Sequence, residues 1–247
     1  MDLDATERRF AESLRELYVV FQPLVRSHDS SIYAFEALMR SHGPIQNPSE
    51  LLTAAEVLGR IEELGRQVRS CVATVMAEHP GRFEPVFVNL HPVEFSADVL
   101  LRDDEPLRPH ASRVVWEVTE RAQLAQRDQI SDTVKHLHAA GYRVAIDDLG
   151  EGYAGLSLLV TMSPDVAKLD MSLVRGLEDS HMKRALVSSL VSVCRRARTL
   201  VVAEGVESAS EAALLVDIGC DLLQGYLFAR PGAPFPEVIQ RNESTRH

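Results

Sequence analysis

The chain has 247 residues, 45% of them hydrophobic and 25% charged, a composition with enough apolar side chains for a sizeable core and no bias toward disorder. Its formal net charge of -10 argues against a basic surface that binds nucleic-acid polymers, and it means that any anionic ligand needs a local cation. No apolar run is long enough to cross a bilayer and residues 1–9 are too charged for a signal-peptide core, so a cytoplasmic protein with no membrane partner is expected.

Residues 4–16 read as an amphipathic lead-in helix, with Asp4 and Glu7 spaced as a capping box and Phe10, Leu14 and Leu17 on one side. We expect residues 1–17 to form this lead-in, 18–240 one barrel domain and 241–247 a tail. The lead-in is read as either a structural lid or a linker. Strand-like runs follow at 18–25, 32–39, 86–90, 114–118, 143–146, 166–169, 200–203 and 222–228. Helical patterns at 50–77, 129–140 and 181–197 separate most of them, and strand–helix–strand repetition implies parallel pairing. Gly141 and Gly219 repeat one helix-to-strand junction. Residues 26–31 are too short for a crossover helix and read as a hairpin turn, so the first strand should run antiparallel to the second. After residues 231–236 a short final helix is expected. The fold class is α/β, a (β/α)8 barrel favoured over an open sheet. The odd, widely spaced Cys71, Cys194 and Cys220 read as reduced core thiols.

Buried parallel strands are nearly all apolar, so the informative residues are the polar ones at their C-terminal ends, where barrels assemble active sites. Asn89 closes Val86-Phe87-Val88, and Glu117 closes Val114-Val115-Trp116. Asp147 and Asp148 close Val144-Ala145-Ile146, Glu204 closes Val201-Val202-Ala203, and Glu36 interrupts the second strand. Singly, each carboxylate reads as a solvated strand end; their recurrence argues for convergence on one mouth. Converging carboxylates repel one another unless divalent cations neutralise them, and carboxylates with one amide oxygen suit Mg2+ or Mn2+ better than zinc. His91 reads as a capping or supporting group, and the other histidines are scattered.

Adjacent Asp147 and Asp148 cannot both point inward from a regular strand, so one should act from the strand end and one from the loop; the alternative is a turn-initiating pair before Gly150 and Gly152. Lys168, in a buried strand, needs an anionic partner. It either pairs with Asp170 or a neighbour, or holds an attacking water and developing negative charge beside the metals. Gln224 ends its strand as a neutral hydrogen-bonding group, suited to orienting a ligand or to an ordinary barrel end.

Taken in order, these residues form a series that resembles the EAL-domain phosphodiesterases, which hydrolyse cyclic di-GMP. Phe21-Gln22-Pro23 looks like the family's opening strand, and Glu36-Ala37-Leu38 is the name-giving motif, with Arg40 behind it. Val88-Asn89-Leu90 matches the asparagine motif and Glu117-Val118-Thr119-Glu120 the E-x-T-E motif. Ile146-Asp147-Asp148-Leu149-Gly150 looks like the D-D-F-G loop, followed by Lys168-Leu169-Asp170, Ala203-Glu204-Gly205-Val206-Glu207 and Gln224-Gly225-Tyr226. Each motif is short and weak alone; the ordered set, from about residue 18 to 231, is specific.

The resemblance implies a modified TIM barrel whose first strand is antiparallel, a magnesium- or manganese-dependent phosphodiesterase with two ions, linear pGpG as product, and a homodimer. It implies that Glu36, Asn89, Glu117 and Asp147 hold one metal and that Asp147 bridges to a second near Asp148 and Glu204. Lys168 and Glu204 would orient and activate water, while Gln22, Leu38, Arg40 and Gln224 contact the substrate. Glu120 would brace the Asp148 loop, with Glu207 in a similar role. Sensory or cyclase modules are expected partners if the chain is part of a longer protein. The departures lie after Asp148, where Leu149 replaces the usual phenylalanine, Glu151 the threonine, and Ala154 and Gly155 the serines. They open a second reading, a catalytically weak cyclic di-GMP receptor or protein-interaction module. A third reading is a different metal-dependent barrel enzyme, because acidic strand ends alone name no substrate.

Overall fold

The computed structural model describes residues 2–119, 129–150 and 155–238. Helix α1 (Leu3–Arg15) starts from Asp2, whose Oδ1 accepts from the Ala5 amide at 3.2 Å. Asp4 therefore lies inside the first turn, where it complements the helix dipole, and is not the capping residue expected from its spacing to Glu7. Ser13 ties α1 to the loop after the second strand: its Oγ accepts from the Ile45 amide at 2.8 Å and its carbonyl accepts from Ser41 Oγ at 2.8 Å.

Strands β1 (Leu17–Arg26) and β2 (Ile32–Ser41) form the expected antiparallel hairpin. The expected helix at 50–77 is instead two helices, α2 (Pro48–Leu58) and α3 (Ile61–Glu78). Gly59, at φ 65°, ends α2 in a left-handed conformation, and the Arg60 amide turns back to the Ala55 carbonyl at 2.8 Å. The apolar periodicity runs through that turn, which is why it reads as one helix. Next come β3 (Val86–Leu90), the short α4 (Ala97–Leu100), β4 (Val114–Thr119), α5 (Ile130–Ala139), β5 (Arg143–Leu149) and α6 (Gly155–Met162). The chain continues with β6 (Val166–Leu169), the short α7 (Met171–Val174), α8 (His181–Ala197), β7 (Leu200–Ala203), α9 (Ala209–Ile218) and β8 (Leu222–Leu223).

Strands β2 to β8 pair in parallel, and β8 closes on β1 antiparallel, giving a closed barrel in the order β1 to β8. The last strand is shorter than the expected 222–228. Beyond Leu223 the chain leaves the ladder to wrap the backbone of Val206, whose amide donates to the Gln224 carbonyl and whose carbonyl accepts from Leu227, both at 3.0 Å. A Cβ on Gly225 would lie 2.0 Å from that carbonyl, so only glycine permits the approach. The expected final helix falls beyond residue 238, outside the described residues.

The barrel interior is built in layers. Leu24, Ala34, Phe87, Val115, Ala145, Val166, Val202 and Leu222, one from each strand, fill its lower part as one apolar cluster. A larger apolar layer lies between the barrel and its helices, and a separate cluster of Phe10, Leu17, Ile45, Leu51 and neighbours joins α1, α2 and α3 to the hairpin. Cys194 and Cys220 are buried and Cys71 half-buried, all as free thiols.

One buried charge cluster was not anticipated. Arg69 of α3 reaches Glu94 Oε1 at 2.6 Å and Glu105 Oε1 at 3.1 Å, with all three side chains at most 4% exposed. Burial pushes both carboxyls up, against the opposing pull of the Arg69 charge. Arg69→Met should therefore destabilise the fold by about 3–5 kcal/mol, because it strands two buried carboxylates. The loss, read by chemical denaturation, should shrink as pH falls and the carboxyls take up protons; a loss that is small at neutral pH and flat with pH would count against this account.

Candidate active site at the barrel mouth

The side-chain period of a strand is two, so the residue two places beyond each member of the interior layer faces the same way, one layer higher. For β2 to β8 those residues are Glu36, Asn89, Glu117, Asp147, Lys168, Glu204 and Gln224; for the antiparallel β1 the residue two places back is Gln22. Eight strands thus supply eight polar groups to one ring at the C-terminal end of the barrel. All eight are residues that the sequence singled out.

Lys168 Nζ occupies the centre of this ring. It lies 2.6 Å from Glu117 Oε1, 2.7 Å from Glu204 Oε1, 3.1 Å from Asp147 Oδ1 and 3.4 Å from Glu36 Oε2. Asp170, the alternative partner, instead caps α7 through the Ser172 amide at 2.8 Å. Glu36 is also held by Asn89 Nδ2 at 3.0 Å and Gln224 Nε2 at 2.6 Å. Gln224 bridges on to Gln22 Oε1 at 3.3 Å, and Gln22 Nε2 donates to the Ala229 carbonyl at 3.1 Å. The two glutamines expected to meet substrate thus also brace the name-giving glutamate. The Ala229 carbonyl escaped the sequence reading, since only the chain's return past β8 places it there.

Electrostatics follow from four carboxylates sharing one ammonium. Burial works against the Lys168 charge, but Asp147, Glu117, Glu204 and Glu36 outweigh it and push its pKa well above the ordinary lysine value. Burial, with Glu36 and Asp147 adding, pushes Glu117 well above the usual carboxylate range, against the pull of Lys168. Glu204 is pushed up to about 8, by burial first and by Asp147 and Glu36 after the opposing Lys168. At Glu36 burial also pushes upward, yet Lys168 and the amides of Gln224 and Asn89 prevail and hold it below its usual value.

Asp147 and Asp148 both lie in β5, where the pairing with β6 shifts between Ile146 and Leu149. Asp148 takes φ 57°, which lets two successive carboxylates serve one side of the strand. Carboxylate oxygens of Asp147, Asp148 and Glu204 lie within 4.8 Å of one another. Glu117 Oε2 is buried with no hydrogen-bond partner among the described residues. An uncompensated set of hard oxygen donors of this kind fits divalent cations.

Other expected residues fall elsewhere. Leu38 and Arg40 are half-buried on the hairpin above the ring, and Arg40 Nη1 donates to the Met39 carbonyl at 2.7 Å. Glu207 is half exposed and pairs with Arg175 at 3.1 Å, and the loop it was expected to help brace continues outside the described residues. Glu120 and Glu151 lie outside the described residues. Leu149, one of the departures, is 2% exposed and opposite Leu169, so the change is absorbed in the core beneath the loop. His91 caps the turn after β3 through the Val93 amide and pairs with Glu56 at 3.2 Å, as expected of a supporting group.

An eight-stranded barrel with one reversed strand and an acidic ring at its mouth defines a class of TIM-like barrels with a charged site at the C-terminal ends of their strands. Within that class the chain belongs to the EAL domain family, whose profile matches residues 5–231. It is 34% identical to an uncharacterized signaling protein of Caulobacter vibrioides, over 94% of this chain and 30% of that protein. It is 31% identical to the bifunctional diguanylate cyclase/cyclic di-GMP phosphodiesterase MucR of Pseudomonas aeruginosa, over 90% of this chain and 34% of that protein. The chain spans about a third of the length of the first of these curated relatives. Among solved structures, the PaMucR phosphodiesterase in complex with c-di-GMP superposes with a TM-score of 0.82 at 29% identity, covering 95% of this chain and 98% of that one. Klebsiella pneumoniae BlrP1 in a calcium/cy-diGMP complex gives 0.78 at 33% identity, covering 88% and 56%. Among the described residues, no helix is long and apolar enough to cross a membrane.

The pKa of Glu204 gives a pH signature. The folded chain keeps on Glu204 a proton that the unfolded chain releases near 4.5, so without divalent cations the Glu204 contribution to stability declines as pH rises from about 4.5 toward 8. Thermal unfolding in chelator should show that decline, Glu204→Gln should reduce it, and added Mn2+ should offset it. An equal slope in the Gln variant would refute the assignment.

Proposed function

We propose that this domain is a metal-dependent phosphodiesterase that opens cyclic di-GMP to linear pGpG. The observation that carries the reading is the ring itself, in which one lysine is surrounded by four carboxylates and leaves oxygen donors unmatched. A chain that only bound the dinucleotide would have no need of that excess negative charge beside an anionic ligand.

Glu36, Asn89, Glu117 and Asp147 would hold one divalent cation, and Asp147 with Asp148 and Glu204 a second. Such ions, Mg2+ or Mn2+, would supply the positive charge that acidifies water and offsets the phosphate oxygens. Klebsiella pneumoniae BlrP1, solved in both calcium and manganese complexes with cy-diGMP, supports the use of divalent cations. Lys168 orients the attacking water and the developing charge, and Glu204, 2.7 Å from the Lys168 ammonium, receives the water's proton. The water oxygen bonds to phosphorus as the P–O3′ bond breaks, the 3′ oxygen takes up a proton from solvent to leave as a hydroxyl, and Glu204 returns its proton to solvent. Gln22, Leu38, Arg40 and Gln224 would position the dinucleotide, and the role the family resemblance implies for Glu120 is to brace the loop after Asp148. The departure at Leu149 is buried beneath the loop and leaves the ring residues in place.

Incubation with cyclic di-GMP and Mn2+ should yield pGpG by chromatography, and chelator should stop it. Glu36→Ala should abolish metal-dependent turnover while the circular dichroism spectrum is kept; tight binding without turnover in the wild-type chain would establish the receptor instead.

The whole protein would be cytoplasmic and homodimeric, with sensory or cyclase modules accounting for the greater length of the relatives. Helix α6 supports self-association, because Leu156 and Val160 stand 57% and 80% exposed on it. Val160→Asp should shift the mass measured by light scattering toward the monomer, and an unchanged mass would argue for a different contact.

A further inference from the structure

The β1–β2 hairpin rises past the ring, and its register is unbroken from Leu17↔Ser41 to Pro23↔Phe35. Period two therefore places Tyr18 and Val20 on the same face as Gln22, and Leu38 and Arg40 on the same face as Glu36. The opposite face, with Leu17, Val19, Phe21, Ala37 and Ser41, is buried, partly beneath α3, whose Cys71 Sγ donates to the Leu17 carbonyl. The half-buried face of Tyr18, Val20, Leu38 and Arg40 is thus continuous with the floor of the site. At a rise of about 3.3 Å per residue, Tyr18 stands roughly 13 Å along the hairpin from Gln22.

At that outer end the Tyr18 ring stacks on His42, with centroids 4.3 Å apart and planes 17° from parallel. His42 is exposed. Directly opposite Tyr18, Arg40 has no carboxylate partner among the described residues and spends a proton on the Met39 carbonyl. A flat aromatic pair beside an uncompensated guanidinium, joined to the ring by an apolar strip, suits a purine base with its phosphate.

We propose that Tyr18 and His42 form a stacking platform for the outer guanine of the substrate, with Arg40 at the adjoining phosphate or base edge. The platform sets affinity for the dinucleotide and leaves the chemical step to the ring. This rests on the reading of the substrate as cyclic di-GMP.

The test compares the wild-type chain with Tyr18→Ala, His42→Ala and Tyr18→Phe, measuring KM, kcat and thermal unfolding with Mn2+. Loss of a stacking partner should raise KM roughly tenfold in both alanine variants with kcat and melting temperature held, while Tyr18→Phe keeps the wild-type KM. An unchanged KM in both would overturn the platform. So would kcat falling together with melting temperature at constant KM, since the pair would then only brace the hairpin. If the wild-type chain binds cyclic di-GMP without cleaving it, the functional reading fails separately, and calorimetric Kd values of the same variants decide the platform by the same tenfold criterion. A wild-type chain that neither binds nor cleaves the dinucleotide overturns both.

Discussion

The Lys168 ammonium and the four carboxylates around it are the interaction on which the rest of the mouth depends. Removing so many charges from water is costly, and mutual attraction repays the cost only where every member sits at contact distance. The barrel provides that placement. Its interior apolar layer sets the inward direction on each strand, and the next inward position is fixed by the pleat one layer higher. Lys168 comes from β6, Glu117 and Asp147 from β4 and β5, Glu36 from β2 and Glu204 from the end of β7, so no local segment could assemble the cluster.

The balance within the cluster leaves it short of positive charge, as a site for divalent cations would be. The protein meets part of the deficit by raising Glu117 and Glu204. Glu36 escapes that fate because Asn89 and Gln224 donate to it, and Gln224 is in turn held through Gln22 and the tail at Ala229. The reversed first strand matters here, because it brings Gln22 directly opposite Glu36 and continues outward as the half-buried face that ends at Tyr18 and His42. The left-handed residue at Asp148 has a comparable effect on β5, turning adjacent aspartates toward one site.

Much of this was legible in the chain. Short apolar runs punctuated by a single polar group reveal both the strands and the ring, since a buried parallel strand is otherwise nearly all apolar. The short 26–31 connection fixed the antiparallel hairpin, because no crossover helix fits it. Local signals that several residues could satisfy were less informative. Asp2 and Asp4 both suit a helix start, and the periodicity across Gly59 hides the break between α2 and α3. Arg69 gave no warning, although it falls on the apolar face of α3 with Leu64, Val72 and Met76, because its partners Glu94 and Glu105 come from a distant loop.

The sequence by itself determined the strand and helix alternation, the reversed opening hairpin and seven of the eight ring residues, because side-chain period and burial act within a few residues of each other; Gln22 was marked only by the family resemblance. Only the tertiary structure decided that Lys168 binds four carboxylates and leaves Asp170 to a helix cap, that Gln22 and Gln224 brace Glu36, and that Glu207 pairs with Arg175. Those outcomes depend on barrel closure, which sets distances between strands that sequence spacing leaves free.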